Sequence, residues 1–340
     1  MRSSRVKLEE ETAVYHCISR VVWGTKVLHN QEMETLRKIL KRTATFCGVE
    51  ILTYCIMKNH LHLLVKVPYL SQEEISDEEL VRRYQALSPI WKPKAGAHLK
   101  DILEKKDSYA EVIRQKLVNR MGDVSIFHKE LKHRFTLWFN QTHGKFGTMW
   151  SGRFKSILVE SSERSLLTVA AYIDLNPVRA GICRDPKDYR WSGYGEAVGG
   201  GGKWNLGCMM YDLGLGKKEE GREGMLRKYR QLLYVEGERG KGLRSSKGGR
   251  EPGKRISREE VKKVLEEKGT LSVAEALRCR VRYFSDGGIL GSEAFIERWF
   301  KRYWHEGAPQ SVRKSGARKM KGAEWGELKV LRGLQKNVIE

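Results

Sequence analysis

The feature that most limits how this chain can fold is a pair of apolar runs separated by only two residues. Residues 49–57 and 60–67 are both rich in apolar and β-branched side chains, and Lys58 and Asn59 lie between them. Runs of this composition predict strands, and a two-residue connection between strands is typical of a tight hairpin. The chain is therefore expected to contain an antiparallel sheet.

The order of elements around this hairpin predicts an α+β fold of the ferredoxin-like βαββαβ type. Runs of β-branched residues indicate strands, and apolar residues at intervals of three and four indicate helices. The order without an insertion is strand, helix, strand, strand, helix, strand, helix, which is the βαββαβ plan with one helix added. Besides the hairpin, strands are expected at residues 14–22 and 154–160, and helices at 31–46, 129–140 and 163–176.

The first domain is expected to span residues 1–200 and to carry a long insertion. Residues 71–127 are rich in charged side chains with mostly helical patterns, and they separate the hairpin from the next element of the plan. We interpret them as a helical insertion, and the domain that carries it as the site of any chemistry.

Three further segments follow. Residues 201–255 predict a flexible basic linker because they are rich in Gly, Lys and Arg, most clearly in GERGKGLRSSKGGREPGKR. Residues 256–306 predict a small all-α domain from capping residues and an apolar helical stripe. Residues 307–340 predict a basic, disordered tail. The capping and stripe residues are Ser257 with Glu260, Ser272 with Glu275, Ser292, Phe295, Ile296, Trp299, Phe300 and Tyr303.

The charge balance favours a nucleic-acid partner. The 340 residues carry a net charge of +22 at pH 7, and an excess of this size favours a polyanion, most simply nucleic acid. The six cysteines are scattered without a CxxC pair, which argues against a zinc ribbon or a disulfide scaffold and indicates a reducing compartment. With no signal-peptide core and no run of about 18 apolar residues, we expect a soluble cytoplasmic protein with no membrane contact.

Two histidines stand inside the second strand of the hairpin. His60 and His62 are two residues apart, so their side chains share one face of the strand, while Leu61, Leu63 and Val65 point to the core on the other face. Two adjacent imidazoles can hold one divalent metal ion. The alternative is a pair of strand histidines without a ligand, because such pairs also arise by chance.

The segment AAYIDLNPVRAGI adds a tyrosine and an amide. Tyr172 and Asn176 are four residues apart, which places them on one face of a helix. Facing two histidines, they would form a metal site with a nucleophile beside it. The alternatives are a half-buried structural tyrosine and an Asn-Pro pair that ends the helix.

Four motifs together resemble a known family. YHCISR, MKNHLHLLVKVP, GTMWSGRFKS and YIDLNPVRAGI occur in the order found in REP-associated tyrosine transposases, which belong to the HUH superfamily of single-strand DNA nucleases and transposases. The resemblance extends over residues 14–67 and 129–194. Four motifs in order are far more specific than any one of them, although the insertion at 71–127 departs from the compact family domain.

The resemblance implies a role for individual residues. His60 and His62 match the metal-binding histidine pair, Asn176 the third, amide-bearing ligand, and Tyr172 the nucleophile. Phe135 lies on another helix and has no hydroxyl, so Tyr172 is the single candidate nucleophile. DNA contacts are expected from basic side chains, namely Arg153, Lys155, Lys58 and Arg20.

The implied activity is cleavage and joining of single-stranded or hairpin DNA in the bacterial cytoplasm or nucleoid. Mg²⁺ or Mn²⁺ would be the cofactor, a phosphotyrosine link the intermediate, and a monomer or a homodimer the assembly. Trp23, Trp150 and Phe154 can stack on bases or lie in the core. Two alternatives stay open: an inactive or domesticated DNA-binding relative, and a metal-dependent hydrolase of a small substrate, which the charge disfavours. The C-terminal domain is expected to add DNA affinity and no chemistry.

Overall fold

The computed structural model describes residues 6–8, 10–70, 75–87, 95–200, 229–230, 233, 271–304, 316–334 and 338–339. The strands are β1 (Ala13–Arg20), β2 (Glu50–Met57), β3 (His60–Val67), β4 (Lys155–Val159), β5 (Ile289–Gly291), β6 (Arg318–Lys319) and β7 (Lys329–Val330). The α-helices are α1 (Asn30–Cys47), α2 (Asp77–Leu87), α3 (Ala95–Leu103), α4 (Ser108–Val118), α5 (Val124–His143), α6 (Glu163–Asp174), α7 (Asn176–Arg179), α8 (Gly193–Val198), α9 (Val273–Leu277), α10 (Tyr283–Asp286) and α11 (Glu293–Trp304).

One sheet organises the described part of the chain, with the strand order β2-β3-β1-β4-β5-β7-β6. Its first four strands are antiparallel neighbours, and with α1 and α5 they follow the order β1-α1-β2-β3-α5-β4. Lys58 and Asn59 form the turn of the β2–β3 hairpin, where Met57 pairs with His60. The α+β class and the ferredoxin-like plan are confirmed.

The two faces of the sheet bury different cores. Leu61, Leu63 and Val65 of β3 are at most 1% exposed and pack with α1 and α5. Leu64 points to the other face, where α6 and the C-terminal helices pack. The alternation expected from the sequence is confirmed. His60 and His62 share a face with Leu64, so their side chains lie on the α6 side of the sheet.

The helix expected at residues 163–176 is divided into α6 and α7. Ser162 caps α6 as expected, with its hydroxyl accepting a hydrogen bond from Ser165 N, but α6 ends at Asp174. Pro177 lacks the N–H that would bond the Ile173 carbonyl in a continuous helix. The Asn176 side chain supplies that donor instead, from Nδ2 to Ile173 O at 3.1 Å.

The expected insertion contains α2, α3 and α4 in its described residues. The helix expected at 129–140 is longer than predicted, because Asp123 caps it through the N–H groups of Ser125 and Ile126. Gly144 ends it in the left-handed region, at φ 58°. The proposed division of the chain into domains stays a prediction.

The expectation of an all-α C-terminal domain is wrong for the described residues. Within residues 271–334, β5 pairs in parallel with β4, and β7 and β6 continue the sheet. The physical reason is the open edge of β4, whose backbone groups need partners. Glu160 N donates to Leu290 O at 2.9 Å, and Leu158 N donates to Gly288 O at 3.1 Å.

The expected basic tail is partly folded, because residues 316–334 carry β6 and β7. The capping box of Ser272 with Glu275 is confirmed, and Ser292 Oγ accepts a hydrogen bond from Phe295 N at 3.2 Å. The Ser257–Glu260 box and nearly all of the 201–255 linker lie outside the described residues. Within the part of the chain that is described, no helix has the length and apolarity for crossing a membrane.

Candidate active site

The two β3 histidines lie at the start of their strand and face α6. Their ring centroids are 5.1 Å apart and the ring planes are inclined by 75°. His62 is 4% exposed, whereas His60 is partly buried beside the hairpin turn. His60 Nδ1 lies 2.6 Å from Asn59 Oδ1. An amide oxygen can only accept, so this contact places the proton of the neutral His60 ring on Nδ1 and leaves a lone pair on Nε2.

A third histidine, His16, joins them from β1. Its Nε2 lies 2.9 Å from His62 Nδ1, and the two rings stack with centroids 5.2 Å apart. His16 belongs to the motif YHCISR but had no predicted role. It reaches the site because β1 pairs with β3 so that Ile18 opposes His62, and His16 shares a face with Ile18. This register belongs to the assembled sheet, so no local pattern in the sequence indicates it.

Tyr172 of α6 lies against these histidines, as the sequence predicted. Its ring centroid is 6.2 Å from that of His62 and 6.1 Å from that of His16, in both cases edge to face. The residue is 4% exposed, partly because the ring of Phe284 from α10 packs on it at 4.7 Å. The structure therefore brings the candidate nucleophile and the histidine pair together.

Arg179 of α7 holds the tyrosine from the other side. Its Cζ lies 4.0 Å from the centre of the Tyr172 ring, and its guanidinium donates to the carbonyls of Tyr172 at 2.6 Å and Leu277 at 2.7 Å. The arginine was not among the predicted site residues. It links α6 to α9, so the C-terminal segment reaches the site, contrary to the prediction of a separate C-terminal domain.

Burial and nearby positive charges favour the neutral form of these histidines. Burial, together with the charges of Arg20, Arg179 and Arg280, lowers the pKa of His60 to about 4. Burial also holds the pKa of His62 well below its ordinary value and lowers that of His16 to about 3. A neutral imidazole is the form that binds a metal ion.

The predicted ligand set has the right chemistry for a divalent ion. His60 offers an Nε2 lone pair, and Asn176 is 9% exposed with its Nδ2 engaged by Ile173 O, which leaves its amide oxygen as the donor atom for an ion. Across the described residues, no group of three or more His, Cys, Asp and Glu side chains is arranged to hold a metal ion. The predicted set has two histidines and an amide, and it stays a prediction.

The four predicted DNA-binding residues lie in different surroundings. Lys58 is exposed in the hairpin turn and Arg20 at the end of β1. Lys155 pairs with Asp286 of α10 at 2.7 Å. Arg153 is exposed and lines an open groove of about 820 Å³. These assignments also stay predictions.

Three more basic side chains line the groove at Arg153, all from α5 and none among the predicted DNA-binding residues: Lys129, Lys132 and His133. Of the aromatic residues considered for base stacking, Trp150 and Phe154 are buried at 4% and 9% exposure, whereas Trp23 is 92% exposed. Phe146, which was not considered, is 96% exposed.

Comparison with known proteins supports the resemblance over the first part of the chain. Residues 10–111 match the family model of IS200-like transposases. The match contains β1, β2 and β3 and hence the three histidines, whereas Tyr172 and Asn176 lie beyond it. No curated protein matches the chain significantly.

A solved structure of a REP-associated tyrosine transposase bound to a REP hairpin is similar to this chain. The two share 14% sequence identity with a TM-score of 0.38, over 60% of this chain and 90% of the other. This likeness is too remote to assign an activity.

Proposed function

We propose that this chain, which is similar to IS200-like transposases over residues 10–111, cleaves and rejoins single-stranded DNA through a covalent link to Tyr172. The observation that carries the proposal is the packing of the Tyr172 ring against His62, at 6.2 Å, on the face of the sheet that the two β3 histidines share. The net charge of +22 suits a polyanionic substrate. The motif resemblance favours DNA that folds into hairpins and action in the bacterial cytoplasm.

In the proposed reaction, the Tyr172 hydroxyl oxygen attacks a backbone phosphorus and loses its proton. The P–O3′ bond breaks, the leaving strand takes up a proton as a free 3′-OH, and the 5′-phosphate stays on the tyrosine. Attack by the 3′-OH of another strand reverses these steps and joins that strand without ATP, since the phosphotyrosine link conserves the bond energy.

The remaining residues bind and position. His60, His62 and Asn176 would hold a divalent ion, which neutralises charge on the scissile phosphate when it is bound. Mg²⁺ and Mn²⁺ are the candidates, and Mn²⁺ accepts imidazole ligands more readily. Arg179 fixes the backbone of Tyr172 by donating to its carbonyl at 2.6 Å. Arg153, Lys155, Lys58 and Arg20 would hold phosphates.

The nucleophile is tested by replacing a single oxygen atom. Tyr172→Phe should bind a labelled DNA hairpin normally and form no covalent adduct on a denaturing gel. Tyr109→Phe is the matched control, because Tyr109 is 58% exposed on α4, away from the site, and its loss should leave the adduct in place. An undiminished adduct with Tyr172→Phe would contradict the proposal.

The ion is tested separately. Chelation should stop cleavage and added Mg²⁺ or Mn²⁺ should restore it, whereas the double variant His60→Ala, His62→Ala should stay inactive under both conditions. Cleavage by the double variant at the rate of the unmodified protein would show that the histidines are not the ion site.

The burial of Tyr172, at 4% exposure under Phe284, favours one second candidate, a DNA-binding relative that does not cleave. It predicts saturable hairpin binding by the unmodified protein without any adduct in the presence of either ion.

A further inference from the structure

The contact between His16 and His62 is buried at both ends. The two residues are 1% and 4% exposed, and 2.9 Å separates His16 Nε2 from His62 Nδ1. A neutral imidazole has one N–H and one lone pair, so one of the two rings donates in this contact and the other accepts. The direction of the bond therefore decides which nitrogen of His62 is left with a lone pair.

The two directions have opposite consequences. If His16 donates from Nε2, then the neutral His62 ring carries its proton on Nε2 and cannot bind a cation there. If His62 donates from Nδ1, then His62 Nε2 keeps its lone pair, and the proton of His16 lies on Nδ1. In the second case His62 presents the same tautomer as His60, whose Nδ1 is fixed by Asn59 Oδ1 at 2.6 Å.

The proposed ion site selects the second direction. His62 Nδ1 lies against His16 Nε2 at 2.9 Å, so Nε2 is the nitrogen through which His62 can bind an ion. A neutral His62 that binds through Nε2 carries its proton on Nδ1, and His16 Nε2 is then the atom that accepts it.

We infer that His16 is a positioning residue for the ion site of the proposed function: it accepts the Nδ1–H of His62 and thereby keeps the His62 Nε2 lone pair directed at the ion. The inference rests on that proposed site and adds a residue which does not touch the ion. Partners of this kind fix the tautomer and the ring orientation of metal-binding histidines.

The experiment measures ion binding by the full-length chain without DNA, through the electron paramagnetic resonance signal of free Mn²⁺. His16→Phe removes the acceptor and should weaken Mn²⁺ affinity by about 10- to 100-fold, the usual effect of losing such a partner. His16→Gln keeps an acceptor in the place of Nε2 and should bind Mn²⁺ nearly as well as the unmodified protein. His128→Phe is the matched control, because His128 is equally buried, at 1% exposure, and stacks on Phe154 instead.

The outcomes separate this inference from the proposed function. If His60→Ala, His62→Ala loses Mn²⁺ binding while a folded His16→Phe keeps it, the role of His16 is rejected and the ion site stands. If the double variant binds Mn²⁺ as tightly as the unmodified protein, the ion site itself fails and the inference fails with it. Weak binding by His16→Phe together with recovery in His16→Gln supports the inference.

A measurement without substitution covers the case in which His16→Phe does not fold. Long-range ¹⁵N–¹H correlation spectra of the histidine rings distinguish an Nδ1–H from an Nε2–H tautomer. The inference requires Nδ1–H on both His62 and His16 in the metal-free protein, with the His62 signals assigned from a His62→Gln variant. An Nε2–H tautomer of His62 overturns it.

Discussion

Asp174, two residues after Tyr172, is a buried carboxyl group that joins α6 to its surroundings. It is 1% exposed and accepts hydrogen bonds from the hydroxyls of Thr53, at 2.9 Å, and Tyr229. Burial raises the pKa of Asp174 to about 7, and the hydrogen bonds from Tyr229 and Thr53 limit the rise. The fold therefore favours the protonated acid.

This gives a prediction for stability against pH. A carboxyl group whose pKa is higher in the folded state contributes stability below its unfolded pKa, near 3.8, and that contribution is lost as the pH rises through about 7. Between pH 4 and pH 8, the unmodified protein should lose roughly 4 kcal/mol of unfolding free energy relative to Asp174→Asn, which has no proton to lose. Urea unfolding of both proteins at several pH values measures this, and parallel pH profiles would contradict it.

Of the individual residues at the site, His60, His62 and Tyr172 could be predicted from the sequence, because strand and helix periods decide which face a side chain takes. His16 and Arg179 were not predicted. Their partners come from another strand or from a segment about a hundred residues away, as Leu277 does for Arg179, and local patterns carry no information about such pairs.

Among the secondary-structure elements, those long enough to show strand alternation or helical spacing were predicted, and the shortest strands were not. β1 to β4 and the helices α1, α5 and α6 span five or more residues with regular alternation or helical spacing. β5 has three residues and β6 and β7 have two each, too few for a pattern. They are strands because the edge of β4 and its continuation need backbone partners, which is a property of the assembled sheet.

Because of these short strands, removing the C-terminal segment should destabilise the sheet of the N-terminal domain. Removing everything after Tyr234 takes β5 from the edge of β4 and the ring of Phe284 from Tyr172. The absence of the Phe284 ring alone is expected to cost about 3 to 5 kcal/mol, the usual range for deleting a buried Phe side chain. The truncated chain should therefore melt at a clearly lower temperature than the full chain in circular dichroism.

The control for that truncation removes charge and keeps the fold. Arg318 and Lys319 of β6 are exposed, and replacing both with Ala lowers the positive charge of this segment without disturbing β5 or β7. The double variant should melt near the temperature of the unmodified chain. Equal melting of the truncated and full chains would mean that β5 does not stabilise the sheet.

For the whole molecule, the question is where a net charge of +22 meets DNA. The groove that Arg153 lines with Lys129, Lys132 and His133 is an open basic surface next to the start of β4. The exposed rings of Trp23 and Phe146, at 92% and 96%, are available for base stacking. Overall charge could be predicted from composition, but its concentration along α5 depends on how α5 packs on the sheet.

The groove is expected to bind DNA phosphates, which charge-removing variants can test. Lys129→Ala with Arg153→Ala should weaken hairpin binding and reduce its dependence on salt. For each phosphate that the protein no longer binds, the log–log slope falls by about 0.7 on single strands and about 0.9 on duplex DNA. The matched control is Lys38→Ala with Lys100→Ala, which removes the same charge from side chains that are 62% and 65% exposed and do not line the groove. Titrations at several salt concentrations measure the slope, and adduct formation at saturating protein should be unchanged in both variants. If DNA responds only to the overall positive charge of the protein, the two double variants should have the same salt slope. If DNA binds at the groove, only the Lys129→Ala, Arg153→Ala variant should have a smaller slope. Loss of the adduct at saturation would instead place the groove in the chemistry and contradict its assignment as a binding surface.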